Sequence, residues 1–183
     1  MGMRKLLFDL SGQLLVSTPN MRDKNKRNTV VFITTSTTDL ITGVVLNHPM
    51  NQTVEQQLSN YTSARVLDAP LYKGGNQEEH TLSLSAWIWT DGLFELLFHI
   101  KEQEIDGLER KYPGAKIQVR GYIGHIQWHP LELFAEMIDK MWYPVPLNAL
   151  FGLNSRNLWP GVILKTNPKL LLMTEYPEIK EES

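Results

Sequence analysis

Apolar residues along this chain recur mostly at every second position, which predicts β-strands over more of its length than helices. "HTLSLSAW" (80–87) alternates cleanly, "FELLFHI" (94–100) puts Phe94, Leu96, Phe98 and Ile100 on one face, and "KIQVRGY" (116–122) alternates again. "GQLLVSTP" (12–19) is a short strand ending at a proline, and "APLYKGGN" (69–76) is a brief strand ending in a glycine pair. The β-branched runs "TVVFITT" (29–35) and "TGVVLN" (42–47) flank the polar "STTDL", the pattern of a hairpin; His48-Pro49 then stops the second run, because proline cannot donate to a ladder.

Helical spacing is rarer. "TVEQ" (53–56) has a capping-box pattern and predicts a helix to about Asn60, while "KEQEIDGLERKY" (101–112) predicts a charged helix ended by Pro113-Gly114. "GYIGHIQWHPLEL" (121–133) predicts a strand-to-helix turn, with Gly121 and Gly124 permitting a sharp bend and Trp128 covering the core. Pro130 suits the first position of the helix that follows. From it Leu131, Phe134, Ala135, Ile138, Met141 and Trp142 form an apolar stripe expected to face the sheet, with Glu132, Glu136 and Lys140 opposite. After "WYPVP" breaks that helix, "NALF" is expected to be extended, "NLWPGVIL" to form a short helix capped by Asn157, "KLLLMT" (169–174) to close a sheet, and the acidic "EYPEIKEES" (175–183) to fray. No repeat or linker divides the 183 residues, so the expectation is one α+β domain.

Composition narrows the chemistry. With 42% apolar residues and five tryptophans the chain can bury a core, and a net charge of −2 gives no general attraction to nucleic acid or an anionic membrane. The absence of cysteine removes disulfides, thiol nucleophiles and cysteine-held zinc or iron–sulfur centres. "MGMRKLLFDLSGQLL" is too short and interrupted in its apolar run for a signal peptide or membrane span, and Met1-Gly2 lacks the following small-residue context of a myristoylation site. The expectation is a soluble cytoplasmic protein.

His125, His129, Glu132 and Glu136 have a spacing that could hold zinc on one helix, but Pro130 disfavours helical dihedrals at His129 and separates the rings from the carboxylates. No metal site is expected, and nothing calls for a cofactor. No G-x-S-x-G elbow, P-loop or G-x-G-x-x-G string is present, so a catalytic nucleophile is not legible. Arg22, Lys24, Lys26 and Arg27 in "NMRDKNKRN" (20–28) read as a solvated loop rather than a phosphate-contacting patch.

Four stretches in order resemble the YqgE/AlgH family of bacterial proteins: "GQLLVSTP" (12–19), "GVVLNHP" (43–49), "LYKGG" (71–75), and "GYIG" (121–124) with the later "LE" (131–132). His48 stands where that family usually has arginine, His125 where it has tryptophan, and Asn76 where it has proline, which marks a divergent member. The resemblance implies an α+β fold with a bifurcated, partly barrel-like mixed β-sheet flanked by helices, and a regulatory role of the kind proposed for AlgH in alginate production. It supplies no reaction.

The functional expectation is therefore a non-enzymatic regulatory protein that binds an unknown protein partner or a small polar ligand. A hydrolase-like enzyme and a DNA-binding transcriptional regulator are the alternatives. The candidate binding residues are Asn47, His48, Gly74, Gly75, Asn76, Tyr122, Gly124 and His125, if the three motif turns meet at one edge of the sheet. The opposing reading is that Asn47 and the glycines only satisfy tight turns.

Overall fold

The computed structural model describes residues 9–58 and 60–175; the first eight residues and the acidic stretch after Glu175 lie outside it. Among the described residues nine strands form one mixed sheet: β1 (Leu14–Ser17), β2 (Val30–Ser36), β3 (Ile41–Val45), β4 (Pro49–Thr53), β5 (Pro70–Lys73), β6 (Gln77–Thr90), β7 (Leu93–Phe98), β8 (Lys116–Trp128) and β9 (Trp142–Val145). The path β4-β5-β8-β3-β2-β1-β9 runs through it, with β6 and β7 branching off at β8. The sheet is bifurcated and flanked by helices, and it does not close into a barrel.

The fork lies within β8. Its first part pairs antiparallel with β6, and Gly121, Tyr122 and Ile123 pair parallel with β5. Beyond Gly124, at φ +74°, residues Ile126–Trp128 pair with β3 instead. A left-handed residue turns the strand sharply, and glycine adopts that conformation without a Cβ penalty. The strand-to-helix turn expected over 121–133 is thus corrected: the strand bends at Gly124 but is unbroken to Trp128, and the handover falls at His129, which caps α5 (Pro130–Ile138) by accepting from Leu131 N at 3.2 Å.

Strict alternation distributes the core into three apolar clusters. Leu14, Val16, Phe32 and Val44 from one branch meet Tyr72, Trp87 and Tyr122 from the other in the interior. Leu15, Val31 and Ile33, one residue out of phase, pack with Leu133 and Trp142 under α5 (Pro130–Ile138). Leu71, Leu84, Ala86 and Val119 pack with the short helices α1 (Val54–Gln57), α2 (Ala64–Leu67), α3 (Glu102–Ile105) and α4 (Leu108–Lys111). Each fully buried leucine, isoleucine or valine contributes about 1.5–3 kcal/mol relative to exposure.

Several expected elements differ. The helix from Thr53 ends at Gln57, and the 101–112 helix is split into α3 and α4 at Gly107, which buries Ile105 and Leu108 on separate turns. Trp142 belongs to β9, not to the preceding helix. "NALF" forms a 3-10 turn over Leu147–Leu150, and Lys169–Glu175 is helix α7 rather than a strand. In α7 the run Leu170-Leu171-Leu172 carries no β-branched residue and follows Pro168, both helix-favouring features, and Leu170 and Leu171 pack on the interior cluster. The helix expected from "NLWPGVIL" is present as α6 (Leu158–Thr166), tied to β1 by Trp159 Nε1 donating to Ser17 O at 2.8 Å.

The facing of α5 is the main correction. Its buried residues are Pro130 and Leu133, whereas Leu131 (67% exposed), Phe134 (39%) and Ile138 (63%) point outward. Glu136 faces inward, because its carboxylate Oε2 accepts from two buried indoles, Trp128 Nε1 at 3.1 Å and Trp142 Nε1 at 2.6 Å. A helix-spaced apolar stripe gives way here to a polar anchor that satisfies two buried donors.

Candidate functional site

Asn47 ends the β2–β3 ladder. Its Oδ1 accepts from Val30 N at 2.9 Å and its Nδ2 donates to Asn28 O at 2.8 Å, holding Asn28 at φ +55°. This side chain is committed to closing a turn. The glycine pair is likewise explained by packing: Gly74 N donates to Ile123 O at 2.7 Å, and Gly74 O accepts from Val45 N at 2.9 Å. A Cβ at Gly74 would lie 2.3 Å from Gly124 O, one at Gly75 2.2 Å from the His125 carbonyl, and one at Gly124 2.3 Å from Gly75 O. Two glycine motifs fifty residues apart therefore form a single backbone crossing, where β5 runs into the fork of β8.

A cleft opens on each side of the crossing. The first, of about 280 Å³, has His48, Lys73, Gly75 and Asn76 on one wall and the turn Asp23–Arg27 on the other, with Val45 and Ile126 also lining it. Asp23 Oδ1 accepts from Asn25 N at 2.9 Å, which shapes that turn and presents Lys24, Lys26 and Arg27 toward the cleft. Lys26 Nζ is 3.6 Å from Glu136 and lies over the Trp128 ring at 5.4 Å, and Lys73 Nζ is 3.9 Å from Glu79. Burial and then the neighbouring Lys73 charge hold the His48 imidazole below its usual titration range. With Lys26 and Lys73 partly offset by Glu136 and Glu79 outside the lining, the cleft wall itself carries four cations and a histidine against Asp23, a place for negative charge. The basic loop expected to be merely solvated thus forms one wall of a cleft.

The second cleft, of about 230 Å³, is lined by Gly124, His125, Glu78, His99, Ser83, Thr34, Thr42 and Thr81 among others. His125 Nδ1 is 3.9 Å from Glu78 Oε2. His99 and Glu78 both hold left-handed backbone, at φ +55° and +48°, and burial followed by the nearby His125 lowers the His99 pKa. Left-handed non-glycine residues concentrate where surrounding structure imposes them.

Of the candidates from sequence, His48, Gly75 and Asn76 come together in the first cleft, Gly124 and His125 in the second, and Asn47 and Gly74 lie in the intervening backbone. Tyr122 lines neither cleft: it is fully buried, stacked on Tyr72 at 5.2 Å between centroids. Among the described residues no group of three or more histidines and carboxylates is placed to hold a metal ion. His129 and Glu136, two members of the zinc pattern, are occupied by the α5 cap and the tryptophans. Nor is any described helix long and apolar enough to cross a membrane. Lys73 was not singled out in sequence; its only signal was its place two residues from Gly75 on an alternating strand.

A forked mixed sheet pinned at paired glycine turns, with helices on its outer faces, defines the class of α+β protein to which this chain belongs. The AlgH-like family model matches residues 14–170, and the chain belongs to that family. It is 26% identical to a UPF0301 protein of Thermobifida fusca, covering 93% of each chain, and 20% identical to one of Chlorobium luteolum, covering 92% of each. Its fold is similar to that of a Corynebacterium diphtheriae protein solved by X-ray crystallography (TM-score 0.66, 17% identity, 91% of this chain and 92% of that one). It is also similar to the solution structure of AlgH from Pseudomonas aeruginosa (TM-score 0.57, 19% identity, 91% and 94%).

Proposed function

We propose that this protein is a non-enzymatic, cytoplasmic regulatory protein that captures a small anionic ligand, or an acidic loop of a protein partner, in the cleft between Asp23–Arg27 and His48–Asn76. The observation that carries this reading is the concentration of Lys24, Lys26, Arg27, Lys73 and His48 around a recess of about 280 Å³ in a chain whose net charge is −2. A basic recess in a near-neutral protein selects negative charge locally rather than by overall attraction. Its size suits a phosphate- or carboxylate-bearing molecule, not a duplex, so DNA binding receives no support from it.

The test is NMR titration with inorganic phosphate, citrate and a nucleoside monophosphate. At least one should shift amides of residues 23–27 and 73–76 in a saturable way, remain chemically unchanged, and bind about tenfold more weakly to the Lys24→Gln/Lys73→Gln variant. Uniform small shifts across the surface, or equal affinity in the variant, would overturn it. A hydrolytic second reading is favoured by one observation, the His125–Glu78 pair beside Ser83 in the neighbouring cleft. Turnover of activated esters that is lost in both His125→Gln and Ser83→Ala would move the assignment there.

A further inference from the structure

The outward face of α5 is an apolar stripe with fixed limits. Leu131, Phe134 and Ile138 are all exposed, and at about 100° per residue they lie within roughly 60° of one another around the helix. His129 and Pro130 start the helix, and Lys140, at φ +55°, ends it one residue after the Asp139 cap. Its rotation is fixed as well, because Glu136 is held from beneath by the Trp128 and Trp142 indoles. Single exposed apolar side chains are ordinary on a protein surface, but a contiguous stripe on a firmly seated helix marks an interaction surface.

The spacing of the stripe selects its partner. Leu131, Phe134, Ala135 and Ile138 read the same in both directions about the Phe134–Ala135 peptide. An antiparallel copy of the helix therefore sets Leu131 against the partner's Ile138, and Ile138 against the partner's Leu131, with Phe134 and Ala135 of both chains at the centre. Charge follows the same symmetry. Glu132 and Asp139 lie on one flank of the stripe, within roughly 20° of each other around the helix. Arg22 joins that flank 3.7 Å from Asp139, with its side chain 79% exposed. A two-fold axis brings this flank of each copy together in reverse order, so Glu132 of one chain comes opposite Arg22 of the other, and the match is made twice. The two carboxylates on the flank disfavour an anionic lipid surface as the occupant.

We propose that α5 is a self-association surface, through which two copies of this chain pair by antiparallel α5 helices about a two-fold axis at Phe134–Ala135. The surface is separate from the anion cleft, since none of its residues lines either recess. A helix of 9 residues is only about 13 Å long, so the contact falls well under the roughly 800 Å² per partner of a standard interface, and the dimer is weak, with a dissociation constant on the order of 10–100 μM.

Sedimentation equilibrium of the full chain, at concentrations spanning that constant, should show a monomer–dimer equilibrium. Leu131→Glu and Ile138→Lys, both at exposed positions that folding does not depend on, should each weaken it at least about tenfold. Mixed together, the two variants should form a heterodimer within about threefold of the unaltered affinity, because the antiparallel register sets the new glutamate against the new lysine. The Lys24→Gln/Lys73→Gln variant should dimerise unchanged. In a mixture of isotope-labelled and unlabelled unaltered protein, intermolecular methyl NOEs should connect Leu131 to the partner's Ile138. A chain that stays monomeric tenfold above that range, variants that associate normally, or variants that fail to rescue each other would overturn the pairing. So would NOEs from Leu131 to Leu6, Leu7 or Phe8 of the same chain, which would make that segment the occupant, or binding to phosphatidylcholine–phosphatidylserine vesicles that is lost in Leu131→Glu.

Discussion

Glu136 gives the sharpest test of how α5 sits on the sheet. Replacing it by alanine removes one carboxylate that accepts from Trp128 Nε1 and Trp142 Nε1, both on side chains only 2% exposed. Each buried donor left without a partner costs about 1–3 kcal/mol, so the expected loss for the two is about 2–6 kcal/mol. The Lys26 ion pair adds little, because it is 3.6 Å long and both side chains keep 23% exposure to screening water. Phe134→Ala, on a ring 39% exposed, is expected to cost less than about 1 kcal/mol. Urea titrations followed by tryptophan fluorescence give both values. Glu136→Gln, which keeps an acceptor oxygen, should fall between them at about 1–2 kcal/mol. In a Trp142→Phe background the Glu136→Ala loss should shrink, since one of the two donors is already gone. If Phe134→Ala costs as much as Glu136→Ala, the helix is facing the other way and the reasoning fails.

Four further outcomes follow from the same geometry. Gly124→Ala combines a positive φ with a Cβ 2.3 Å from Gly75 O and should cost about 2–5 kcal/mol in the same titration, whereas Gly92→Ala, whose Cβ meets nothing, should cost about 1–2 kcal/mol. Asn47→Ala strands Val30 N and Asn28 O and should lower stability by about 1–3 kcal/mol, while anion affinity in the basic cleft stays within twofold if Asn47 only closes its turn. His48 and His99 both have folded pKa values below 6.5, so the unfolded chain takes up protons first; stability should be fully present above pH 6.5 and fall as the pH drops below it, and His48→Gln with His99→Gln should flatten that slope. An anion in the first cleft pulls the His48 pKa back up, so its affinity should strengthen on acidification from pH 7 to about 5, and pH-independent binding would contradict His48 as part of that wall.

Period-two patterns placed β6, β7 and β8, because alternation survives wherever one face is buried and the other is not, while β-branched runs placed β2 and β3 and a short apolar run ending at proline placed β1. The resemblance motifs added the family and the forked sheet. What failed was length and facing. Within the turn expected over 121–133, residues 121–128 are strand, since glycines that permit a bend also permit a bulge, and only the partner strands decide between them. The α5 stripe misled because periodicity registers where apolar residues stand, not which polar residue two distant indoles require. "KLLLMT" holds four consecutive apolar residues, Leu170 to Met173, a length at which strand and helix are indistinguishable by period, and the leucine content decided for helix.

The candidate site was legible in its parts and not in its partition. Sequence order brought the two glycine motifs to attention separately, each as a place where bare backbone could meet a ligand. In the fold they meet each other, at distances no side chain could tolerate, and that contact is what divides the surface. Because the crossing is backbone against backbone, the walls on its two sides, His48 with Lys73 and His125 with Glu78, are held at fixed separation without touching. Gly75 sits directly against the His125 carbonyl, so a ligand that drew Lys73 or Asn76 inward would press on that contact. The expected outcome is that binding in the first cleft shifts the His125 and Glu78 amides of the second through this contact, and that it stops doing so in a variant whose crossing is loosened. The NMR titration with phosphate in Gly74→Ala, if that variant folds, or otherwise the temperature dependence of the His125 amide shift in the unaltered protein, reads this link. An unmoved His125 amide at saturating ligand would show the crossing to be rigid and the clefts independent.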